Sequence, residues 1–332
     1  MKLLAALGLL SVLGSCLWET ANVPQERPVE PFFLVIEEKT APAAPKRTTL
    51  RLLTAEGVRE TDEEAYLTCV VLSELPASFH EEAMKAQAVA ARTYAFRAVA
   101  HGKHTDADLC SDSACCQAYH APAELRERLG GAFDAAWEKA SEAVRETDGM
   151  ILCYGDEPID AVYYSCSGGR SEDAVAVWGG DVPYLRSVDS PGEEFAPRFA
   201  SEICVPFSEF RAKLEGKEDG LRLPVLPQDW FGEASYTEGG AIDTIRIGGK
   251  AFRGTELRRL FSLPSAKFTV SVRGDAVVFS CRGYGHGVGM SQYGAEAMAR
   301  EGKDWRQIVA HYYTGVEIKK LSRQEAGQRV SV

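Results

Sequence analysis

"HEEAMKAQAVAARTYAF", residues 80 to 96, decides how the rest of the chain is read. Ala86, Ala88, Ala90, Ala91 and Ala95 leave little side chain on several faces, so neighbouring elements can approach closely and the stretch reads as a buried helix. Ser78 stands three residues before Glu81, the S-x-x-E signature of a capping box, which gives Glu81 a structural role. Glu82 needs no such role. From physics alone it is either a partner of the helix dipole or an acid at a cleft edge, where desolvation would favour a proton. Lys85, Gln87 and Arg92 on a buried helix need partners. Those are either ion pairs with Glu82 or a neighbour, or the polar wall of a cleft.

Outward from this helix the pattern is mixed. "TTLRLLT" alternates like a strand, and "DEEAYLTCVVLSEL" has helical spacing stopped by Pro76. Strand-like runs follow from Met150 ("MILCY", "AVYYS", "IDTIRIGG", "FTVSVRG", "AVVFSCRG"). "SQYGAEAMAREGK" and "DWRQIVAHYY" close the chain as short helices. Helices early and late with a mainly antiparallel, strand-rich middle predict an α+β fold. Residues 48–322 form the folded region, which allows lobes of about 48–149 and 150–322, and 323–332 is a tail.

The N-terminus reads as a targeting segment. "MKLLAALGLLSVLGSC", residues 1–16, has a basic start, a short apolar run and small residues before Cys16. "LGSC" resembles a bacterial lipobox, which makes Cys16 a lipidation site. An ordinary cleaved signal is the alternative. Both readings place the protein outside the cytoplasm, and lipidation would anchor it to the membrane. Residues 17–47 are proline-rich and read as a tether. The net charge of −11 argues against nucleic acid as a partner.

Two further motifs carry chemistry. His104, Cys110, Cys115 and Cys116 supply one imidazole and three thiols within a short stretch. The set matches a closed, structural zinc site in ligand type and number; in an exported protein, disulfides are the competing reading. "CRGYGHGVGMSQYGA" fits neither G-x-G-x-x-G nor a Walker loop. Its glycines let the backbone lie close to something, with His286, Ser291, Gln292 and Tyr293 alongside. That suits either a sugar or a strand-to-helix packing joint. "YYSCSGGRSED" places Ser165 and Ser167 around Cys166. No obvious base accompanies the thiol, so a binding loop is the preferred reading.

Taken together, "EAMKAQAVAARTYAF", "CSDSACCQAY", "YYSCSGGRS", "FRGTELRRLF" and "GYGHGVGMSQYGAEAMAREG" resemble the stage II sporulation protein D family, from about Leu50 to Lys320. The family includes membrane-associated lytic transglycosylases of peptidoglycan and proteins described as amidase enhancers. The resemblance implies a catalytic acid at Glu82 and zinc at His104, Cys110, Cys115 and Cys116. Cys115 departs from the family by standing where it has a histidine. It also implies two lobes around a glycan cleft, with Arg92, Ser165, Ser167, His286, Ser291, Gln292 and Tyr293 as candidate substrate contacts. The implied substrate is peptidoglycan glycan strands free of peptide, and the implied partner a cell-wall amidase.

Overall fold

The computed structural model describes residues 49–321, Asp219 excepted. Cys16, the proline-rich stretch to 47 and the tail from 323 lie outside the described residues. The architecture is mixed α+β, as expected from the order of its elements.

β1 (Thr49–Thr54) and β2 (Gly57–Asp62) form an antiparallel hairpin. Asp62 then caps α1 (Glu63–Glu74), its carboxylate accepting the Ala65 N–H at 3.2 Å. α2 (Glu81–Ala100) is the quoted helix. A short strand, β3 (Leu109–Cys110), runs parallel to β1 and carries one thiol of the cysteine cluster. Next come α3 (Pro122–Leu129) and α4 (Phe133–Glu146), to which the sequence reading assigned no element. β4 (Met150–Tyr154) pairs with β5 (Glu157–Pro158). Four short pieces follow: β6 (Tyr163–Tyr164), β7 (Gly169–Arg170), α5 (Ala174–Trp178) and β8 (Asp189–Ser190).

The next segment builds a core of its own. β9 (Ala200–Pro206), α6 (Phe207–Lys217), β10 (Phe231–Tyr236), β11 (Ile242–Ile247), β12 (Lys250–Arg253), α7 (Gly254–Phe261), β13 (Phe268–Arg273) and β14 (Ala276–Arg282) make two three-stranded antiparallel sheets, β10-β11-β12 and β13-β14-β9. Phe210 stacks on Trp230 and Phe261, and Phe279 joins from β14. The chain then returns to the first core through β15 (Met290–Ser291), α8 (Gln292–Arg300), α9 (Trp305–Tyr312) and β16 (Glu317–Lys320), which pairs with β4.

The two cores therefore do not part between residues 149 and 150. Leu152 of β4 belongs to the first core with α1, α2, α4, α8 and α9, and the second core draws on residues 205–281. α2 is the axle of the first core. Ala83, Ala86, Ala88, Ala90 and Ala91 are all buried, which lets α1, α4, α8, α9 and β4 pack around one helix.

The start of α2 differs from the capping box expected of Ser78 and Glu81. Phe79 N–H bonds Pro76 O at 3.0 Å and closes a turn that leaves Ser78 exposed outside the helix. His80 is the N-cap, and its Nδ1 accepts the Glu82 N–H at 3.2 Å. The proline that ends α1 thus moves the cap two residues along the chain.

Candidate functional site

Glu82 lies in the first turn of α2 with its side chain 18% exposed. Its Oε1 takes the Lys85 ammonium at 2.7 Å, and its Oε2 accepts the backbone N–H of Trp305 at 2.8 Å. Trp305 is the first residue of α9, whose N-cap is Asp304, so two helix N-termini converge on one carboxylate. Lys85 is also paired with Glu146, the last residue of α4, at 2.6 Å. Burial alone would lower Lys85, but its two carboxylate partners outweigh this and raise it. Glu82 is therefore fixed at both oxygens by protein donors.

The neighbouring Glu81, not Glu82, lines a recess of about 360 Å³ together with Ser78, His80, Lys139, Glu296 and Arg300. Glu296, buried in α8, accepts the His80 N–H at 2.5 Å and pairs with Arg300 Nε at 2.7 Å. It thereby pins the cap that orients the start of α2. The sequence reading missed Glu296, because only the tertiary fold brings residues 80 and 296 together.

The other candidates divide. Arg92 is not a cleft residue. It is buried, donates to the carbonyls of Val144, Thr147 and Met150, and pairs with Glu63 at 3.3 Å. It closes the C-terminal end of α4, where carbonyls lack helical partners. Ser167 is likewise internal: its hydroxyl and its N–H both donate to the buried Glu193, at 2.9 and 2.6 Å. Ser291 is the N-cap of α8, accepting the Gly294 N–H at 3.2 Å. Gln292 donates to Glu74 at 3.1 Å, inside a buried network with Tyr163 and Gln117. Burial raises the Glu74 carboxyl above its ordinary value.

The glycine-rich stretch is a packing joint. Tyr284 and Cys166 exchange backbone bonds at 2.8 and 3.1 Å, and Glu172 N–H bonds Gly287 O at 2.7 Å. A Cβ at Gly289 would overlap Val162 O, and one at Gly283 would press on Cys166 O; both positions also have positive φ. His286 donates from Nε2 to Tyr163 O at 3.1 Å and accepts the Val288 N–H at Nδ1, at 3.2 Å. Ser165 is half-buried and offers its carbonyl to Tyr293 N–H at 2.9 Å. Tyr293 alone of this group reaches toward the helix start, meeting Phe79 edge-on at 5.0 Å and Phe195 at 5.5 Å. Cys166 faces Glu193 at 3.1 Å, and burial pushes its thiol up to about 12, which suits an inert thiol rather than a nucleophile.

Beyond the other end of α2, His104, Cys110, Cys115 and Cys116 come together with all four ligand atoms within 4.8 Å of one another. His104 Nε2 lies 3.3 Å from Cys116 Sγ and 3.8 Å from Cys115 Sγ. A tetrahedral cation with bonds of about 2.0–2.3 Å needs donors about 3.5–3.8 Å apart, so this cluster could hold a metal ion. All eight cysteines among the described residues are free thiols. Burial, with the neighbouring Cys110 thiol, pushes Cys116 up to about 12, a bias that a bound cation would reverse. Tyr94 of α2 donates to Cys115 O at 3.0 Å and ties the cluster to the helix.

Fold and site define a mixed α+β protein whose buried helix carries a fixed carboxylate at one end and a His/Cys cluster beyond the other. The chain belongs to the stage II sporulation protein D family. The family model for SpoIID, stage II sporulation protein, matches residues 54–154, which span α1, α2 and the cluster. Stage II sporulation protein D of Bacillus subtilis (strain 168) is 37% identical over 286 residues, covering 85% of this chain and 81% of that protein. The protein of the same name from Bacillus amyloliquefaciens is 36% identical over 287 residues, with the same coverage. A Bacillus subtilis protein named amidase enhancer is 28% identical over 301 residues, covering 75% of this chain and 39% of that protein.

Proposed function

We propose that this protein is a lytic transglycosylase that cleaves the bond between N-acetylmuramic acid and N-acetylglucosamine in peptide-free peptidoglycan strands. The observation that carries the reading is the placement of Glu82. It is a half-buried carboxylate fixed at both oxygens, one residue from the Glu81 that lines an open recess, in a chain of the stage II sporulation protein D family.

Protonated Glu82 gives its proton to the glycosidic oxygen as the bond from that oxygen to C1 breaks. The oxocarbenium-like C1 is captured by the muramic acid's own C6 hydroxyl, and Glu82 takes up that hydroxyl's proton. The product is a 1,6-anhydro end, and Glu82 regains the proton it gave. One carboxyl serves both transfers, so the paired carboxylates of most glycosidases are not needed. Tyr293 and Phe195 supply aromatic faces near the start of α2.

His104, Cys110, Cys115 and Cys116 are the residues that would hold Zn2+, whose contribution is to fix the loop after α2 rather than to enter the reaction. The protein is proposed to be exported and lipid-anchored at Cys16, facing the cell wall, with an amidase acting on the same strands as its partner. The relative named amidase enhancer supports a second reading, a non-catalytic glycan binder that stimulates such an amidase.

Digestion of purified glycan strands, with and without stem peptides, followed by mass spectrometry of the ends, separates the readings. Anhydro ends are expected, and Glu82→Gln should lower cleavage by about a hundredfold to ten-thousandfold while retaining binding. Reducing ends would indicate hydrolysis by water, and binding without cleavage would favour the second reading.

A further inference from the structure

The two donors on Glu82 raise a question that its catalytic reading leaves open. An acid must carry a proton, yet Lys85 and the Trp305 N–H both address the anion. Around the carboxylate stand Lys85 and Glu81 of α2, Glu146 of α4, Asp304 at the cap of α9, and His80, which accepts the Glu82 N–H. Lys85 is shared between Glu82 and Glu146. Its ammonium is 2.7 Å from Glu82 and 2.6 Å from Glu146, and its side chain is 12% exposed.

We propose that Lys85 is a positioning residue that passes between Glu82 and Glu146 and so selects whether Glu82 meets the glycan as acid or as base. The inference rests on the catalytic reading of Glu82. When Oε1 carries a proton, it no longer attracts the ammonium as an anion does, and Glu146 retains Lys85. After the proton goes to the glycosidic oxygen, Glu82 is an anion again and recaptures Lys85. The orientation that Lys85 and Trp305 enforce then serves the second step, removal of the C6 hydroxyl proton. That uptake releases Lys85 to Glu146, so one proton leaves and one returns in each turnover while Lys85 stays charged throughout. Glu146 suits the role of temporary holder. Its side chain is 49% exposed and sits in the last turn of α4, where the helix dipole does not reward an anion.

The test uses the full chain and two variants whose effects must differ in sign. Activity through a general acid falls as pH rises past loss of the acid's proton. Lys85→Met removes a cation that favours this loss, so the high-pH limb of kcat/KM on peptide-free strands should move up by about one pH unit or more. Glu146→Gln leaves Lys85 to Glu82 alone and removes a negative charge, so the limb should move down. Lys85→Arg should keep the limb near its wild-type position. A limb that stays in place in both variants, or moves the same way in both, overturns the proposal. Carbon-13 NMR of the Glu82 carboxyl, followed against pH without glycan, gives a second readout that does not depend on cleavage. A chain that fails to cleave but shows the opposed NMR shifts rejects the catalytic reading and retains the Lys85 exchange. Unchanged NMR titrations reject the exchange whatever the enzyme does.

Discussion

His286 illustrates how the fold sets the chemistry of one side chain. Both ring nitrogens are used within the packing joint, one as donor and one as acceptor, and the ring lies between Tyr164 and Trp178. Burial lowers the imidazole to about 4; the Tyr163 carbonyl opposes this and Arg258 adds to it. The unfolded chain holds its histidine near about 6.5 and therefore binds the proton first as pH falls. Stability from the neutral ring is present above about 6.5 and is lost as pH falls toward about 4, a total of about 3 kcal/mol. Urea unfolding at several pH values should show this loss in the wild type and a shallower acid slope in His286→Gln. Equal slopes would contradict the assignment. Residues at this scale were unevenly legible. The four residues of the His/Cys cluster lie in one short stretch and show in the sequence by type and number, whereas Glu82 was singled out by the family resemblance and not by its spacing. Arg92, Ser167 and Ser291 take their roles from partners dozens of residues away, or from a cap that only the backbone reveals.

At the scale of the element, α2 was readable as buried because alanine leaves room on every side, but its first residue was not. The S-x-x-E pattern at Ser78 is a genuine local signal. The turn closed by Pro76 and Phe79 overrides it and makes His80 the cap, held in turn by Glu296. Ser78→Ala should change stability by no more than about 0.5 kcal/mol, and His80→Ala should cost about 1 kcal/mol. Thermal or urea unfolding of the two variants checks this; a larger loss at Ser78 would restore the capping box. α4 shows a different gap. Phe133, Ala136, Ala140 and Val144 are buried at helical spacing, so the periodic signal was present in the sequence and went unread.

Across the whole molecule, the order of helices and strands predicted the α+β class, but no local pattern marks which strands share a core. β4 opens the strand-rich region yet packs with the helices, because β16 returns from the far end of the chain to pair with it. The aromatic core is built from residues between 205 and 281 and, among the described residues, shares no buried side chain with the first. The cluster at 104–116 is tied to the first core through β3 on β1 and through Tyr94 on Cys115 O. This separation determines what metal removal can do. A bound cation would close the loop after α2 through four side chains; without it the loop would keep its backbone bonds and the side-chain bonds from Tyr94 and Lys103 to Cys115 O. Chelation under reducing conditions should therefore speed amide hydrogen exchange in residues 101–120 and the last turns of α2, and leave β9–β14 unchanged. Exchange spreading evenly over both cores would mean that the cluster supports global stability rather than this loop. No change anywhere would mean that it holds no metal.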